Sequence, residues 1–267
     1  MAEISIIILN YKSARLTRQC IKGIKKFPPK VAHEIIVVDN NSKDGVEETL
    51  KEKYPDVIFV GSKDNRGYGA GMNLGIEKAK GEYILILNPD IVILKNSIES
   101  LYEFMKERPD AGIVGPKLLN PDGTTQSSYF RFHTIMTPVY RRTPLGKLPW
   151  AKKHLNRFLM AEDQNTGPVE WILGACMMVR KSILRKIGLF DERFFLYFED
   201  TDLCRRTWES GYKVYYASSS EMVHYHMRES AEHSVLASIF SYPTRVHIAS
   251  WIKYILKYKG KQIPKIN

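Results

Sequence analysis

The strongest constraint on this chain is a rhythm. Over the first 116 residues, short apolar runs alternate with stretches of helical periodicity, separated by polar and turn-forming residues. Ile4–Leu9 is an apolar run, as expected for a strand buried on both faces of a parallel sheet. Leu16–Ile24 follows with Leu16, Cys20, Ile21 and Ile24 on one helical face. Glu34–Val38, Val57–Val60, Tyr83–Leu87 and Gly112–Val114 read as further strands, the last closed by Gly115-Pro116. Ala70–Lys80 and Ile98–Met105 read as helices. The rhythm predicts an α/β, Rossmann-like fold with an open, mostly parallel sheet flanked by helices. Ligands in such sheets sit beyond the C-terminal ends of the strands.

The remainder is less regular. Residues 117–170 are rich in Pro, Arg, Lys and aromatics with little periodicity, and read as an irregular insertion or lid. Patterning returns at Trp171–Val179 (strand), Lys181–Ile187 and Asp202–Ser210 (helices), and Lys213–Ala217 (strand). From His233 the chain reads as helical with a break at Pro243. The expected organisation is one domain over 1–232, with 117–170 as an insertion, and a basic helical tail over 233–267.

The net charge of +11 is regional. Residues 117–158 hold eight Lys/Arg against one acid, Asp122, and residues 244–267 hold six and none, so the rest is slightly acidic. That placement fits an anionic partner met by those two segments. No nucleic-acid-binding motif accompanies it. Cys20, Cys176 and Cys204 lie far apart and form no C-x-x-C pair, which predicts a reduced, cytoplasmic setting. No stretch reaches the roughly 20 apolar residues of a spanning helix.

Six polar clusters carry candidate chemistry. Asn10-Tyr11 and Asp39-Asn40-Asn41-Ser42 follow the first two strands, where a carboxylate can accept from a base imide or a ribose hydroxyl. Asn65-Arg66-Gly67-Tyr68-Gly69-Ala70-Gly71-Met72-Asn73 opens a helix, whose glycines and free N–H groups suit a phosphate. Asn88-Pro89-Asp90 stands at a strand end, where a carboxylate can ligate a cation bridging two phosphates. Glu199-Asp200-Thr201-Asp202 follows five consecutive large apolar residues, and burial there would raise a carboxylate pKa towards general-base work. Asp202 itself reads as a plain helix-start acid. His224-Tyr225-His226 can complete a metal site, with Ser230 near a phosphate. Each cluster alone also reads as an ordinary turn, cap or structural histidine.

In their order and spacing, Ser5–Tyr11, Val37–Ser42, Asn65–Gly75, Leu87–Asp90, Trp171–Ala175 and Phe198–Leu203 resemble inverting family 2 glycosyltransferases of the GT-A fold, in particular the rhamnosyltransferase-like branch. The resemblance implies Asp39 at a pyrimidine base with Asn10 and Tyr11 beside it, and Asn41, Asn65, Arg66, Gly67 and Asn73 around the nucleotide. It implies Asn88 and Asp90 in place of a metal-binding Asp-x-Asp, with Mg²⁺ or Mn²⁺ held by Asp90 and His224, His226 being the second choice. It also implies Trp171, Gly174, Ala175 and Glu199 at the acceptor, and Asp200 as base.

The implied reaction moves a sugar from a dTDP-rhamnose or UDP-sugar donor to a glycan or a polyprenyl-diphosphate-linked acceptor, in cell-surface polysaccharide assembly. Two rival readings are a sugar-nucleotide-binding protein without transferase activity and a nucleotidyltransferase. The latter calls for a Gly-rich basic loop after the first strand, which Asn10-Tyr11-Lys12-Ser13 does not supply. In the tail, Val246, Ala249, Ile252 and Ile255 recur at i, i+3 spacing among Trp251, Tyr254, Tyr258, Lys253, Lys257 and Lys259. Segment 244–260 therefore reads as a peripheral membrane helix, or as a helix docked on the core or on a second copy in a homodimer.

Overall fold

The computed structural model describes residues 2–142, 144–159, 165–225, 242–264 and 266. Ile4–Asn10 is the first strand, β1, and every residue in it is buried. Ile4, Ile6 and Ile8 enter one apolar cluster, Ile7 and Leu9 another on the opposite face of the sheet. An apolar run without polar alternation is the sequence trace of that two-sided burial, which stabilises by about 1.5–3 kcal/mol per large side chain.

Helix α1 (Ala14–Lys26) turns Thr17, Cys20, Ile21 and Ile24 inward and leads to β2 (His33–Asp39). Helix α2 (Val46–Lys53), strand β3 (Ile58–Gly61), helix α3 (Tyr68–Lys78) and strand β4 (Tyr83–Leu87) complete a parallel set in which β1 pairs with both β2 and β4. Next come β5 (Ile91–Ile93), α4 (Ser97–Glu107) and β6 (Ala111–Leu119).

Strand β6 corrects the sequence reading, because it runs straight through Gly115-Pro116. Its pairing with the later strand β11 (Cys176–Arg180) covers only Ile113 and Val114, so Pro116 leaves no broken ladder on that side.

Residues 117–170 carry more regular structure than their composition suggests. They contain β7 (Thr125–Gln126), β8 (Tyr129–Phe130), α5 (Thr137–Arg142), a 3₁₀ turn at Pro144–Lys147, α6 (Pro149–Leu159) and β9 (Gly167–Pro168). The expected single strand over Trp171–Val179 splits into β10 (Trp171–Ile172) and β11, with the turn Leu173-Gly174-Ala175 between them. Helix α7 (Lys181–Ile187) follows, then α8 (Glu199–Glu209), three residues earlier than its apolar periodicity predicts. Strand β12 (Lys213–His224) is far longer than Lys213–Ala217, continuing past a register shift opposite β6.

The sheet order is β3-β2-β1-β4-β11-β6-β12-β5, with β7 and β9 on its margins. Only β11 and β5 oppose the direction of their neighbours on this path. The open, mostly parallel α/β sheet expected from the rhythm is present.

The last helix, α9 (Tyr242–Lys257), has Pro243 in its first turn, where a missing N–H costs nothing, rather than as a break. Residues 233–241 lie outside the described residues. Helix α9 docks on the core, on the chain segment leading into α8. Ser250 donates to the Leu196 carbonyl at 2.8 Å, Lys253 to the Arg193 carbonyl at 2.7 Å and Lys257 to Asp191 at 2.7 Å. Tyr254 and Tyr258 are buried against Phe194 and Phe198. The predicted apolar face (Val246, Ala249, Ile252, Ile255) is not the docked one; the aromatic and hydroxyl-bearing face is, and Ile248, Ile252 and Leu256 remain exposed.

Asp202, expected to be a plain helix-start acid, is the anchor of this docking. It is wholly buried, accepts from Arg206 at 2.8 Å and from the Tyr258 hydroxyl at 2.7 Å, and pairs with Lys257.

Candidate active site

Asn10 ends β1, Asp39 ends β2 and Asn88 follows β4, so one edge of the sheet gathers the polar clusters. The first group is closed upon itself. Asn10 is wholly buried, and its amide donates to Asp39 at 2.8 Å, to Ser42 at 3.0 Å and to Asp44 at 3.1 Å. Its carbonyl accepts from Thr17 at 2.8 Å and Ser13 at 3.1 Å. Asp44 in turn accepts the Ala14 N–H at the start of α1, at 3.0 Å.

Asn10 therefore braces the loops beneath the cleft and is not among the residues that line it. The cleft above, of about 500 Å³, is lined by Asp39, Asn41, Asp44, Phe59, Gly61 and Ser62 among others. Phe59, which sequence reasoning did not single out, sets an apolar ring beside the Asp39 carboxylate, a combination that suits a flat heterocycle with polar edges. Tyr11 stands exposed at the rim, and Lys12, Asn41 and Lys43 all have positive φ, as the sharp turns after β1 and β2 demand.

The glycines of the Asn65–Asn73 loop are packed closely against protein. Gly67 has φ +90°, and a Cβ on it would come within 2.2 Å of the Phe195 carbonyl oxygen. That carbonyl also takes the Tyr68 N–H at 2.7 Å, so the first N–H of α3 is engaged by protein. Cβ atoms on Gly69 and Gly71 would press on Phe190 and Leu9, so these glycines admit close packing of α3. Asn73 is buried and clips Phe190 through both its amide and its carbonyl, at 2.9 and 3.0 Å. Asn65 accepts from Asn40 at 2.8 Å, and Arg66 pairs with Glu192 at 2.6 Å. Asn73 and Gly67 thus staple α3 to the 190–198 segment.

The second group is open. After β4 the Asn88 N–H donates to the Ala175 carbonyl at 2.8 Å, while Asn88 Oδ1 and Asp90 Oδ1 are buried without a hydrogen-bond partner. Asp90 Oδ2 faces His224 Nε2 at 3.4 Å, and His224 Nδ1 meets Gln126 Oε1 at 2.8 Å. With Nδ1 engaged by Gln126, Nε2 is the ring nitrogen that faces the Asp90 carboxylate, as two ligands of one cation would face each other.

Two orphaned oxygens and an imidazole oriented from behind form a donor set that fits a divalent cation. Among the described residues no group of three or more His, Cys, Asp or Glu gathers for a metal. Asp90 and His224 alone would leave most positions to be filled by other ligands. His226 and Ser230 lie outside the described residues.

The acids enter from α8, whose first turn follows Tyr197 and Phe198, both left-handed at φ 69° and 70°. Glu199 is 5% exposed, and its Oε2 is buried without a partner. Burial, and then the neighbouring Asp200 charge, push the Glu199 carboxyl well above the usual carboxylate range. Asp200 is also raised by burial, opposed by the Gly174 N–H at 3.0 Å on one oxygen and the Thr201 N–H at 2.7 Å on the other. Hydrogen bonds to the charged form thus assign the pair's negative charge to Asp200 and its proton to Glu199.

Gly174 lies so close to Asp200 that a Cβ would meet the Asp200 Cβ at 3.2 Å. The Gly174 carbonyl accepts from the Tyr68 hydroxyl at 2.7 Å, a contact sequence reasoning missed for want of any motif. Trp171, expected beside an acceptor, is instead 5% exposed, stacked on Phe130 at 4.6 Å and donating to the Arg131 carbonyl at 2.7 Å. It supports the 173–175 turn from below. Ala175 is buried as well, and its contribution is the carbonyl that holds Asn88.

Known proteins share this architecture. Residues 5–188 match the family described as Glycosyl transferase family 2. The chain is similar to the N-acetylglucosaminyl-diphospho-decaprenol L-rhamnosyltransferase of Mycobacterium tuberculosis H37Rv, 29% identical over 72% of this chain and 66% of that protein. It is similar to the low-salt glycan biosynthesis hexosyltransferase Agl10 of Haloferax volcanii, 31% identical over 76% of this chain and 61% of that one. A third relative is the rhamnosyltransferase WbbL of Escherichia coli K12, 23% identical over 84% and 83%. The chain thus spans just under two thirds of the length of the first two relatives.

Among solved structures, GalNAc-T7 with UDP, GalNAc and Mn²⁺ superposes with a TM-score of 0.71 at 17% identity, over 97% of this chain and 48% of that one. The Pyrobaculum calidifontis mannosyltransferase PcManGT, in complex with GDP-Man and Mn²⁺, gives 0.64 at 16% identity, over 98% and 66%. These two likenesses show the fold, which is GT-A.

Proposed function

Because the chain belongs to glycosyl transferase family 2, we propose that the sheet-edge cleft binds a nucleotide-diphosphate sugar and that the sugar passes, with inversion, to an acceptor hydroxyl. One observation carries this reading. The turn Leu173-Gly174-Ala175 holds Asp200 by the Gly174 N–H and Asn88 by the Ala175 carbonyl, so base and diphosphate side share one rigid support.

In this reading Asp39, Asn41 and Phe59 receive the nucleoside, with Tyr11 at the rim and Asn65 and Arg66 outside it. Asn88, Asp90 and His224 would hold Mg²⁺ or Mn²⁺. Such a cation, when bound, offsets negative charge growing on the departing diphosphate. Asp200 takes the proton from the acceptor hydroxyl as its oxygen bonds to the anomeric carbon from the face opposite the leaving group. The anomeric C–O bond to phosphate breaks with its electron pair on the nucleoside diphosphate. Glu199, protonated, donates a hydrogen bond to the acceptor sugar, which occupies its unpartnered oxygen.

The relatives' names support transfer of rhamnose or another hexose, and a polyprenyl-diphosphate-linked acceptor. A dTDP-rhamnose or UDP-sugar donor and a role in cell-surface polysaccharide assembly belong to the same proposal. No helix among the described residues is long and apolar enough to cross a membrane. Peripheral contact through 244–260 is supported by the exposed line Ile248, Ile252, Leu256, flanked by Arg245, Lys253 and Lys259. The organisational proposal is a catalytic unit over 1–232 with a tail over 233–267 that braces the acid-bearing segment through α9.

The test is a thermal-shift panel of UDP-, dTDP- and GDP-sugars with and without Mn²⁺ or Mg²⁺. One donor with metal should stabilise by several degrees, and metal alone should not, since Asp90 and His224 by themselves supply few ligands. Tight metal binding by the donor-free protein, or no response to any sugar nucleotide, would overturn the reading.

A further inference from the structure

A cleft of about 510 Å³ lies away from the nucleotide side, between residues 133–136 and the stretch that follows α9. Its walls include Ile135, Met136 and Ile263, all at least 39% exposed in a chain whose other large apolar residues mostly pack inside. Exposed apolar walls facing one another across a concave surface are costly unless something covers them. The rim carries Lys259 and Lys261.

The floor is His133, 7% exposed, with its Nδ1 lacking any hydrogen-bond partner. Burial and the nearby Arg141 and His247 hold this imidazole well below its ordinary pKa, so it is a neutral group in an apolar setting. Its ring packs on Phe198 at 4.7 Å and on Trp171 at 5.4 Å, and Phe198 immediately precedes Glu199 and Asp200. The cleft therefore abuts the back of the catalytic segment.

An apolar trough with a cationic rim calls for an amphiphile whose chain is hydrocarbon and whose head is anionic. A flat anionic surface would meet the lysines but not enter the trough, and a neutral lipid would fill the trough without drawing on the exposed lysines. We propose that this cleft is the binding site for the isoprenoid chain of a prenyl-diphosphate lipid, with Lys259 and Lys261 receiving its diphosphate. The inference rests on the reading of the chain as a transferase acting on a lipid-linked acceptor, and it deepens that reading by giving the lipid its own site, built jointly by residues 133–136 and the C-terminal stretch.

The test uses farnesyl diphosphate as a water-soluble probe, with farnesol and inorganic diphosphate as controls, titrated into the full chain by calorimetry. Farnesyl diphosphate should bind more tightly than either control. Ile135→Asp and Ile263→Asp should each weaken it about tenfold or more, through the lost apolar contact. Lys259→Ala with Lys261→Ala should weaken farnesyl diphosphate and leave farnesol unchanged. Sugar-nucleotide binding should be unaltered in all of these variants, which also reports that they fold.

Equal binding of farnesyl and inorganic diphosphate would overturn the proposal. So would loss, in Ile135→Asp, of binding to phosphatidylglycerol vesicles that lack any prenyl lipid, or of a concentration-dependent dimer. Those results would assign the cleft to a membrane surface or to a second copy. Should the protein bind sugar nucleotide but no prenyl diphosphate, this inference alone fails; should it bind no sugar nucleotide, the transferase reading fails first.

Discussion

Two ends of one sheet edge handle their polar atoms in opposite ways. Around Asn10, Asp39 and Asp44 the side chains satisfy one another through a dense set of hydrogen bonds. Around Asn88, Asp90 and Glu199 three buried oxygens have no partner. A buried unsatisfied polar atom costs about 1–3 kcal/mol, so a fold keeps such atoms where a ligand completes the set. The saturated end is a rigid platform that fixes loop shape. The unsaturated end is where bound atoms are expected.

The sharpest way to break that contrast is Asp200→Asn. It preserves shape and removes the base, so transfer should fall by about 10²–10⁴-fold while donor affinity changes by only a few-fold. Steady-state transfer rates and donor titration separate the two, and near-normal turnover would remove Asp200 from its role.

Asn10→Ala attacks the saturated end. It strands Asp39, Asp44, Ser42 and Thr17 together, so denaturant unfolding should show a loss of about 2–4 kcal/mol. Activity per folded molecule should change less than in Asp200→Asn. An effect confined to donor affinity with stability intact would make Asn10 a ligand contact after all.

The smallest effect is expected from Glu199→Gln, read as stability against pH. The raised folded pKa of Glu199 means its contribution is full below the unfolded value of about 4.3, and is lost as pH rises through the folded one. Gln cannot ionise. The variant should therefore match wild type below about pH 4 and gain progressively in melting temperature as pH rises towards 8, by about 2–4 °C per kcal/mol. A gain that is constant across pH would mean that Glu199 does not titrate as its burial implies.

Legibility followed locality. Tyr83–Leu87 and Lys181–Ile187 were read to the residue because their apolar period and their flanking breaks are all local. Helix α8 begins three residues before its predicted start, because Glu199, Thr201 and Asp202 are polar yet buried and give no apolar period. The glycines of 67–71 announce a close approach, but the atom that Gly67 approaches is not legible in the glycine. That atom is the Phe195 carbonyl, more than a hundred residues away in the chain. Phe59 carries no motif and only the sheet brings it to the cleft, while the bond from Tyr68 to the Gly174 carbonyl joins residues 106 apart in the chain.

By itself, then, the sequence determined the alternating α/β architecture, the sheet edge where polar residues collect, and the ordered clusters that mark the family. These are encoded in period and composition within single elements. Which polar residues are satisfied, which stay open and which face α9 presents were decided only by tertiary structure. Satisfaction depends on partners from distant elements: Asn10 finds Asp39 and Asp44 across adjacent loops, Asp202 finds Tyr258 on the chain following α9, and Asp90 meets His224 only at the far end of β12.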